Sequence, residues 1–334
     1  MLLLFGNGPF GPKWTLIRET HLGHVFRLEN KQKQNRAIVV VSLSLLNFGR
    51  RMMLPEACVA NILSFTTPAD TFSSSAVSSV FKVAGDSDLV WEKFLPSDYS
   101  HVVSRSTDHH QKFSSKKELY RYLCESILID NGRKMFKIEK LSGKISYVLS
   151  ARDLSITWSN QRHYWSWNPR SDSRFSEGVE LIMTDWLEII GKIQTGALSP
   201  NTNYGAYLIM KVTSRAYGLE LVPAETWIKV GNGEKKTEST YLSRLDSKKQ
   251  QMERLFYGQR EERMAMMDKV VGAHRREPEV RDDGWMEIEL GEFETGQEGG
   301  EDMEVVMSLT EVKGYQLKGG IAIDGIEVRP KPQK

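Results

Sequence analysis

Aromatic side chains are crowded into one short stretch, LSITWSNQRHYWSWN, which spans residues 154–168. Trp158, Tyr164, Trp165 and Trp167 all lie within ten residues of the chain. An indole ring is large and its N–H needs a hydrogen-bond partner, so a segment this short rarely buries three of them completely. We therefore expect some of these rings to lie outside a hydrophobic core, where they are available for contact with a ligand.

Residue types that support catalysis occur only in weak patterns. Glu287 and Glu289 alternate in the segment WMEIELGE, which would place them on one face of a strand, as a glycosidase pair would require, and Glu292 follows. The apolar residues between them define a buried side, so a solvated sheet face is expected for these carboxylates. His109 and His110 have no acidic or cysteine partner at a metal-ligand spacing. We expect neither catalysis nor a metal or cofactor.

The composition indicates a globular protein of 334 residues, long enough for two domains. The 45 basic and 43 acidic residues leave a net charge of +2, so charge gives no reason to expect nucleic acid or a membrane as partner. The apolar segment 37–48 is shorter than the ~20 residues of a membrane span. With no signal peptide recognised, and only Cys58 and Cys124 as thiols, we expect a cytoplasmic and/or nuclear protein.

The elements that must position these side chains fall into a helical part and a β part. Residues 53–99 carry apolar residues at helical spacing, and the segment TPAD predicts a helix start with Thr67 as N-cap and Asp70 three residues later. A linker and a further helix are expected over 100–131. Residues 1–52 are expected to form an atypical N-terminal extension with little stable structure.

After Gly132 the apolar residues change to alternate positions, the period of β-strands. Several such runs, separated by turn residues, predict an antiparallel β-sandwich over 132–330. A charged stretch at about 231–278 is expected to be a solvated insertion. The fold class is therefore α+β multidomain. Most of the other tryptophans should lie in the core of the sandwich: Trp167, Trp186, Trp227 and Trp285.

The helical part resembles an F-box, the module that docks substrate receptors onto SCF ubiquitin ligases. The matching residues are Leu54-Pro55-Glu56, Ile62-Leu63, Val77-Ser78 with Phe81, and Val90-Trp91. The resemblance implies an interface with a Skp-type adaptor, in which a few apolar anchors carry most of the binding energy. The adaptor-binding residues that it implies are Leu54, Pro55, Ile62, Leu63, Val90 and Trp91. Three others, Val77, Val80 and Phe81, are expected to pack the helices together.

The β part resembles the plant phloem-lectin family over Gly132 to Pro330. The matching pieces are LSARDLSITW, YWSW, WLEIIGKI, LSPNTNYGAYLIMKV, DGWMEIELGEF and GIEVRP. The resemblance implies a jelly-roll-like lectin domain that binds glycans containing N-acetylglucosamine, because indoles stack on sugar rings and carboxylates accept hydrogen bonds from hydroxyls. The residues that it implies are Trp158, Trp165, Glu304 and Glu311. Both tryptophans could instead fill the sandwich core, and Val306 stands where the family usually has an acidic residue.

Together the two resemblances imply a substrate-recognition subunit of an SCF-type E3 ubiquitin ligase. Its partners would be a Skp-type adaptor, a cullin, and a glycan or glycoprotein, and partner subunits would carry out ubiquitin transfer. The alternative is a stand-alone lectin or protein-interaction module without ligase function. A glycoside hydrolase is a third class, but the sequence lacks a clear acid/base pair for it.

Overall fold

The computed structural model forms two compact units. The first comprises Met1–Pro96, Phe113–Arg121 and Lys140–Gly143. The second comprises Ser97–Lys112, Tyr122–Glu139 and Lys144–Lys334. The residues that the structure describes are 4–8 and 11–15, by their backbone alone, and 55–108, 110–220, 222–244, 276–297, 299–313 and 316–332. The stretch expected to be a linker and helix is therefore divided between the two units.

The described residues include a small sheet and six α-helices. Strands β1 (Leu4–Gly8) and β2 (Gly11–Thr15) pair antiparallel, in the region for which the sequence predicted little stable structure. The helices are α1 (Glu56–Leu63), α2 (Pro68–Ser75), α3 (Ser79–Asp86), α4 (Asp88–Phe94), α5 (Tyr99–Ser104) and α6 (Lys116–Leu123).

The predicted start of α2 is confirmed in detail. The Thr67 hydroxyl accepts a hydrogen bond from the backbone N–H of Asp70, and the Asp70 carboxylate accepts one from the backbone N–H of Thr67. This reciprocal pair satisfies two N–H groups that the first helical turn would otherwise leave without partners. Pro68 occupies the first helical position, where its missing N–H has no cost. Local sequence alone therefore determines where this helix begins.

Trp91 of α4 is the centre of the helical core. Its side chain is fully buried, and its indole N–H donates to the Gly85 carbonyl at 2.7 Å. The rings of Phe72, Phe94 and Tyr120 surround it at centroid distances of 5.0–5.6 Å. Because Tyr120 lies on α6, residues 113–121 belong to this core rather than to a linker. The helix ends at Leu123, well before residue 131.

The second unit consists mainly of β-strands and includes two short 3₁₀ turns, Ala151–Asp153 and Thr195–Ala197. Its strands are β3 (Ile127–Ile129), β4 (Lys134–Ile138), β5 (Ile145–Ser150), β6 (Ser155–Ile156), β7 (Trp165–Pro169), β8 (Glu177–Leu181), β9 (Leu187–Gln194), β10 (Asn203–Tyr217), β11 (Ala224–Val230), β12 (Lys236–Thr240), β13 (Glu279–Val280), β14 (Met286–Glu294), β15 (Glu304–Glu311) and β16 (Gly319–Pro330). The strand β12 lies within the stretch predicted to be an insertion, of which residues 245–275 are outside the described residues.

These strands form two antiparallel sheets, which confirms the predicted antiparallel β architecture. The nine-stranded sheet has the order β13-β14-β10-β16-β5-β4-β3, with β8 paired to β16 and β7 paired to β8. The five-stranded sheet has the order β12-β11-β15-β9-β6. The sheets contact each other so closely that a Cβ added to Gly191 of β9 would lie 2.8 Å from Ile326 of β16. The hydrophobic core of the unit therefore includes the space between them.

Candidate functional site

One end of the five-stranded sheet gathers most of the side chains of interest. Strands β6 and β9 pair antiparallel, and Thr157 extends their ladder by donating its backbone N–H to the Glu188 carbonyl at 3.1 Å. The Thr157 hydroxyl also donates to the Glu188 carboxylate at 3.1 Å. In an antiparallel pair, moving forward from Thr157 and backward from Glu188 leads to the same end. Trp158 and Trp186 therefore both lie at this end of the sheet.

Trp158 presents an open aromatic face. Its side chain is 38% exposed and stacks on Tyr164 with ring centroids 4.8 Å apart and an interplanar angle of 26°. The residue lies in a turn after β6, with a positive φ of 58°. The stack on Tyr164 supports the indole from one side. Its remaining exposed surface is of the kind that covers the C–H face of a pyranose ring.

The expectation that Trp165 contacts a sugar at an exposed surface is wrong, because its side chain is buried. Only 2% of its side chain is exposed, because Trp165 is the first residue of β7 and turns inward opposite Leu181 of β8. Its indole N–H donates to the Thr157 carbonyl at 2.9 Å. Trp165 thus anchors the residue that precedes Trp158. Its contribution to the site is to hold the turn in place.

Glu311 reaches the same end of the sheet from β15, but from the inside. It lies opposite Leu187 in the β9–β15 ladder and is buried, in an ion pair with the equally buried Lys318. The Lys318 ammonium also donates to the Asp185 carbonyl at 2.9 Å. A buried carboxylate that is paired in this way is not placed to accept a hydrogen bond from a surface ligand. The pair instead holds the loop before β9.

Glu304 lies at the opposite end of β15 from Glu311. It faces Gln194 in the ladder, is exposed, and forms an ion pair with Lys192 at 3.1 Å. Seven residue steps along a strand span roughly 23 Å. The structure therefore brings Trp158, Trp165 and Glu311 to one end of the sheet and leaves Glu304 at the other.

Sequence reasoning missed Trp186, which was expected in the core together with three other tryptophans. Trp186 is 46% exposed, whereas Trp285 is buried as predicted. Trp167 and Trp227 are half-buried. The alternation of apolar residues along β9 could have identified Trp186. From Leu187 onward, the odd-numbered residues of this strand point inward and are buried. That alternation places Trp186 and Glu188 on the outer side.

The residues implied as adaptor contacts are divided between surface and core. Pro55 and Ile62 are exposed, whereas Leu63, Val90 and Trp91 are buried, and Leu54 lies outside the described residues. A fully buried side chain packs the helices of its own unit, so the expectation of a contact surface is wrong for these three. The opposite correction applies to Val77, which was expected in the core and is exposed.

Some apolar side chains of the helical unit are exposed. On α1 the buried residues are Val59, Ala60 and Leu63, and Ile62, at the edge of that face, is 39% exposed. Phe65, just after the helix, is 73% exposed, and its backbone N–H donates to the Ile62 carbonyl at 3.2 Å. Further large apolar side chains of this unit are exposed: Val77, Val83 and Leu89. Exposed apolar side chains that adjoin each other, as Ile62 and Phe65 do, are typical of a protein interface.

The carboxylates of β14 form ion pairs with basic side chains; Glu287 is buried, whereas Glu292 is exposed, as expected for a solvated face. Glu287 is buried and accepts hydrogen bonds from Arg329, at 2.6 Å, and from Arg281. Burial would raise the pKa of the Glu287 carboxyl, but hydrogen bonds and charge from these arginines outweigh it and hold the pKa below its ordinary value of 4.5. Glu289 and Glu292 pair with Lys331. Because its pKa is lowered, the Glu287 carboxyl is unsuited to act as a general acid.

Among the residues that the structure describes, no group of three or more histidine, cysteine, aspartate or glutamate side chains is arranged to hold a metal ion. No helix of the same ranges has the length and apolar character needed to cross a membrane.

Comparison with known proteins agrees with both halves of the fold. The profile of the family Phloem protein 2 matches residues 144–330. The F-box protein PP2-B15 of Arabidopsis thaliana is 87% identical over 284 residues, covering 85% of this chain and 98% of the relative. The F-box protein VBF, also of Arabidopsis thaliana, is 72% identical over 282 residues, covering 84% of this chain and 99% of the relative.

The solved structures that align with the chain are distant. TmCBM61 in complex with beta-1,4-galactotriose aligns over 53% of this chain and 87% of its own, with 8% identity and a TM-score of 0.25, which is too low to support an inference. The two Arabidopsis relatives determine the family. The similarity covers almost the whole length of each relative, and it therefore includes both the helical and the β part. This chain therefore belongs to the F-box group of the phloem protein 2 family.

Proposed function

We propose that this protein is a substrate-recognition subunit of an SCF-type E3 ubiquitin ligase and that its second unit binds carbohydrate. In this proposal the helical unit is the F-box, which docks onto a Skp-type adaptor and through it onto a cullin. The second unit is a jelly-roll-like β-sandwich that holds a glycan or glycoprotein. The chain itself is non-catalytic. It acts by raising the local concentration of acceptor lysines near the transfer machinery.

The observation that carries the adaptor proposal is the exposed apolar pair Ile62 and Phe65. The core of the helical unit is formed by buried side chains such as Val90 and Trp91, whereas Ile62 is 39% and Phe65 73% exposed. Fully burying an exposed side chain of this size contributes about 1.5–3 kcal/mol, so Phe65 can gain most of this and Ile62 a smaller part. A contact of this size is sufficient to make the pair a central anchor of the complex.

The adaptor proposal is tested by pull-down of a purified Skp-type adaptor with the full chain. The double variant Ile62→Asp, Phe65→Asp should lose the adaptor, because it places two charges in a desolvated interface. The single variant Asn61→Asp adds charge to an exposed position of the same helix and should retain it. Wild-type retention by the double variant would refute this surface. Circular dichroism of each variant checks that the helices remain folded.

The glycan proposal rests on the stacked pair Trp158 and Tyr164. An exposed indole supported by a second ring offers a flat apolar face, and the residue before Trp158, Thr157, is hydrogen-bonded to the Glu188 carboxylate. A stacking face with a nearby acceptor is the minimum that a sugar ring requires. The family resemblance adds N-acetylglucosamine as the expected sugar.

Titration with N-acetylglucosamine tests the glycan proposal, with a glycan array to identify preferred ligands. Trp158→Ala should weaken binding by roughly 1–3 kcal/mol, the range for one large side chain. Trp227→Ala is the matched control, because Trp227 is a partly exposed indole on β11, two strands away from β9. Equal affinities of wild type and Trp158→Ala would refute the stacking role. If the full chain binds a glycan but does not bind the adaptor, the alternative of a stand-alone lectin is favoured.

We also propose that the protein works in a reducing compartment, the cytoplasm and/or the nucleus. The chain has only two cysteines, Cys58 and Cys124, whereas proteins of oxidising compartments usually carry a larger disulfide framework. Cell fractionation of the tagged full chain tests this location. Recovery mainly in a secreted fraction would contradict it.

A further inference from the structure

Trp186 is a second exposed indole at the end of the sheet that carries Trp158. We infer that Trp186 forms a second stacking surface, which takes the next sugar residue of the same glycan chain. This inference rests on the proposed function, because it requires that the Trp158 face holds a sugar. It adds to the site a residue and a loop that the sequence patterns did not identify.

The β6–β9 ladder brings the backbones of the two tryptophans to the same end of the sheet. Thr157 pairs with Glu188, so one further step along the ladder brings Trp158 beside Leu187. Trp186 is the next residue beyond Leu187. Residues one step apart across an antiparallel pair have α-carbons about 5–7 Å from each other. Both indoles therefore start from neighbouring backbone positions at this end of the sheet, and in this inference adjoining rings of one glycan chain each meet one indole.

Hydrogen bonds from neighbouring side chains fix the backbone of the loop that carries Trp186. Thr184 is buried, and its hydroxyl donates to the Trp186 carbonyl at 2.9 Å and accepts from the Trp186 N–H at 3.0 Å. The next residue, Asp185, receives the Lys318 ammonium on its carbonyl, and Lys318 in turn pairs with Glu311. A surface that is already ordered binds without the entropy loss of ordering a loop. Glu311 is therefore a positioning residue for this loop.

The chemistry around Trp186 favours a sugar over an apolar partner. The exposed residue Asp185 precedes Trp186 in the chain, and Glu188, on the outer side of β9 like Trp186, follows two residues later. Hydroxyl groups along the edge of a pyranose ring can donate to such carboxylates while the C–H face covers the indole. A purely apolar protein surface would remove water from both carboxylates without offering them new hydrogen-bond donors, which is costly.

Calorimetric titration of the full chain with N-acetylglucosamine and with its β-1,4-linked dimer separates the two surfaces. Wild type should bind the dimer more tightly than the monosaccharide. Trp186→Ala should weaken dimer binding about tenfold or more and leave monosaccharide binding unchanged, because it removes only the second stacking contact. Trp186→Tyr keeps a ring at this position and should recover most of the dimer affinity. Trp227→Ala again controls for loss of an indole elsewhere.

Every other outcome is decisive as well. If Trp186→Ala leaves both affinities unchanged, the second surface is refuted, while the proposed function stands. If it weakens the monosaccharide and the dimer equally, Trp186 belongs to the first surface and the inference is overturned. If wild type binds neither sugar, the proposed glycan function fails and this inference fails with it. Thermal melting near the wild-type temperature verifies that the variants are folded.

Discussion

Replacement of Trp165 by alanine should destabilise the second unit far more than replacement of Trp158. Trp165 is 2% exposed and Trp158 is 38% exposed, although they are only seven residues apart. Removing a buried tryptophan leaves a cavity that the surrounding strands fill only partly, at a cost of about 3–5 kcal/mol. Removing an exposed indole leaves almost no cavity, and we expect less than about 1 kcal/mol for Trp158→Ala.

The structure adds a smaller contribution from hydrogen bonding. The indole N–H of Trp165 donates to the Thr157 carbonyl, and its loss costs about 1 kcal/mol within the total. Trp165→Phe keeps most of the apolar volume and should cost about 1–2 kcal/mol. For a unit of this size, 1 kcal/mol lowers the melting temperature by about 2–4 °C. Trp165→Ala should therefore lower it by roughly 6–20 °C.

Differential scanning calorimetry of the full chain measures these shifts, with near-UV circular dichroism to identify the transition of the β unit. Trp285→Ala, which removes another buried indole, provides the reference for a core deletion. Trp165→Ala should also weaken glycan binding, because it releases the turn before Trp158. This loss of affinity should be accompanied by the loss of stability. If Trp165→Ala melts within 1–2 °C of wild type, roughly the effect of a surface substitution, the assignment of Trp165 to the core is refuted.

Three further predictions concern other positions. Trp91→Ala should cost about 3–5 kcal/mol and abolish the helical transition, because the buried ring and its bond to Gly85 hold the core together, whereas an unchanged melt would contradict this. Glu287→Gln should lose stability at neutral pH, because folding lowers the pKa of Glu287 and the ionised carboxylate therefore stabilises the fold. This stabilisation should disappear as the pH falls through and below 4.5, which denaturation at several pH values can measure. Trp158→Gly should be at least as stable as Trp158→Ala, since glycine adopts the positive φ of 58° without strain, which urea unfolding can measure.

Local patterns in the sequence determined the parts of the fold that depend on neighbouring residues. The capping box at Thr67 needs only the side chain three residues later, so it could be recognised without any knowledge of packing. The change to period two after residue 132 likewise predicted antiparallel strands. The family could be recognised for a related reason, since its motifs are short runs of adjacent residues.

Which aromatic side chains are exposed was decided only by the tertiary structure. Trp91 was assigned to a contact surface, but Tyr120, on a helix 29 residues further along the chain, covers it. Trp186 was assigned to the core, but it falls just before β9, on the outer side of the sheet. In both cases the sequence shows that the side chain is large and aromatic, but the residues that cover it or leave it exposed are distant in the chain.

The same holds for the glutamates at the two ends of β15. The sequence supplied two carboxylates seven residues apart, with nothing to distinguish their roles. Pairing with β9 places Glu304 and Glu311 at opposite ends of the strand, and the approach of Lys318 turns Glu311 into a buried ion pair. Burial is a property of elements that meet across long stretches of chain, and free energy depends on which groups lose contact with water. A linear pattern specifies the elements, whereas only their packing specifies which side chains remain available to a ligand.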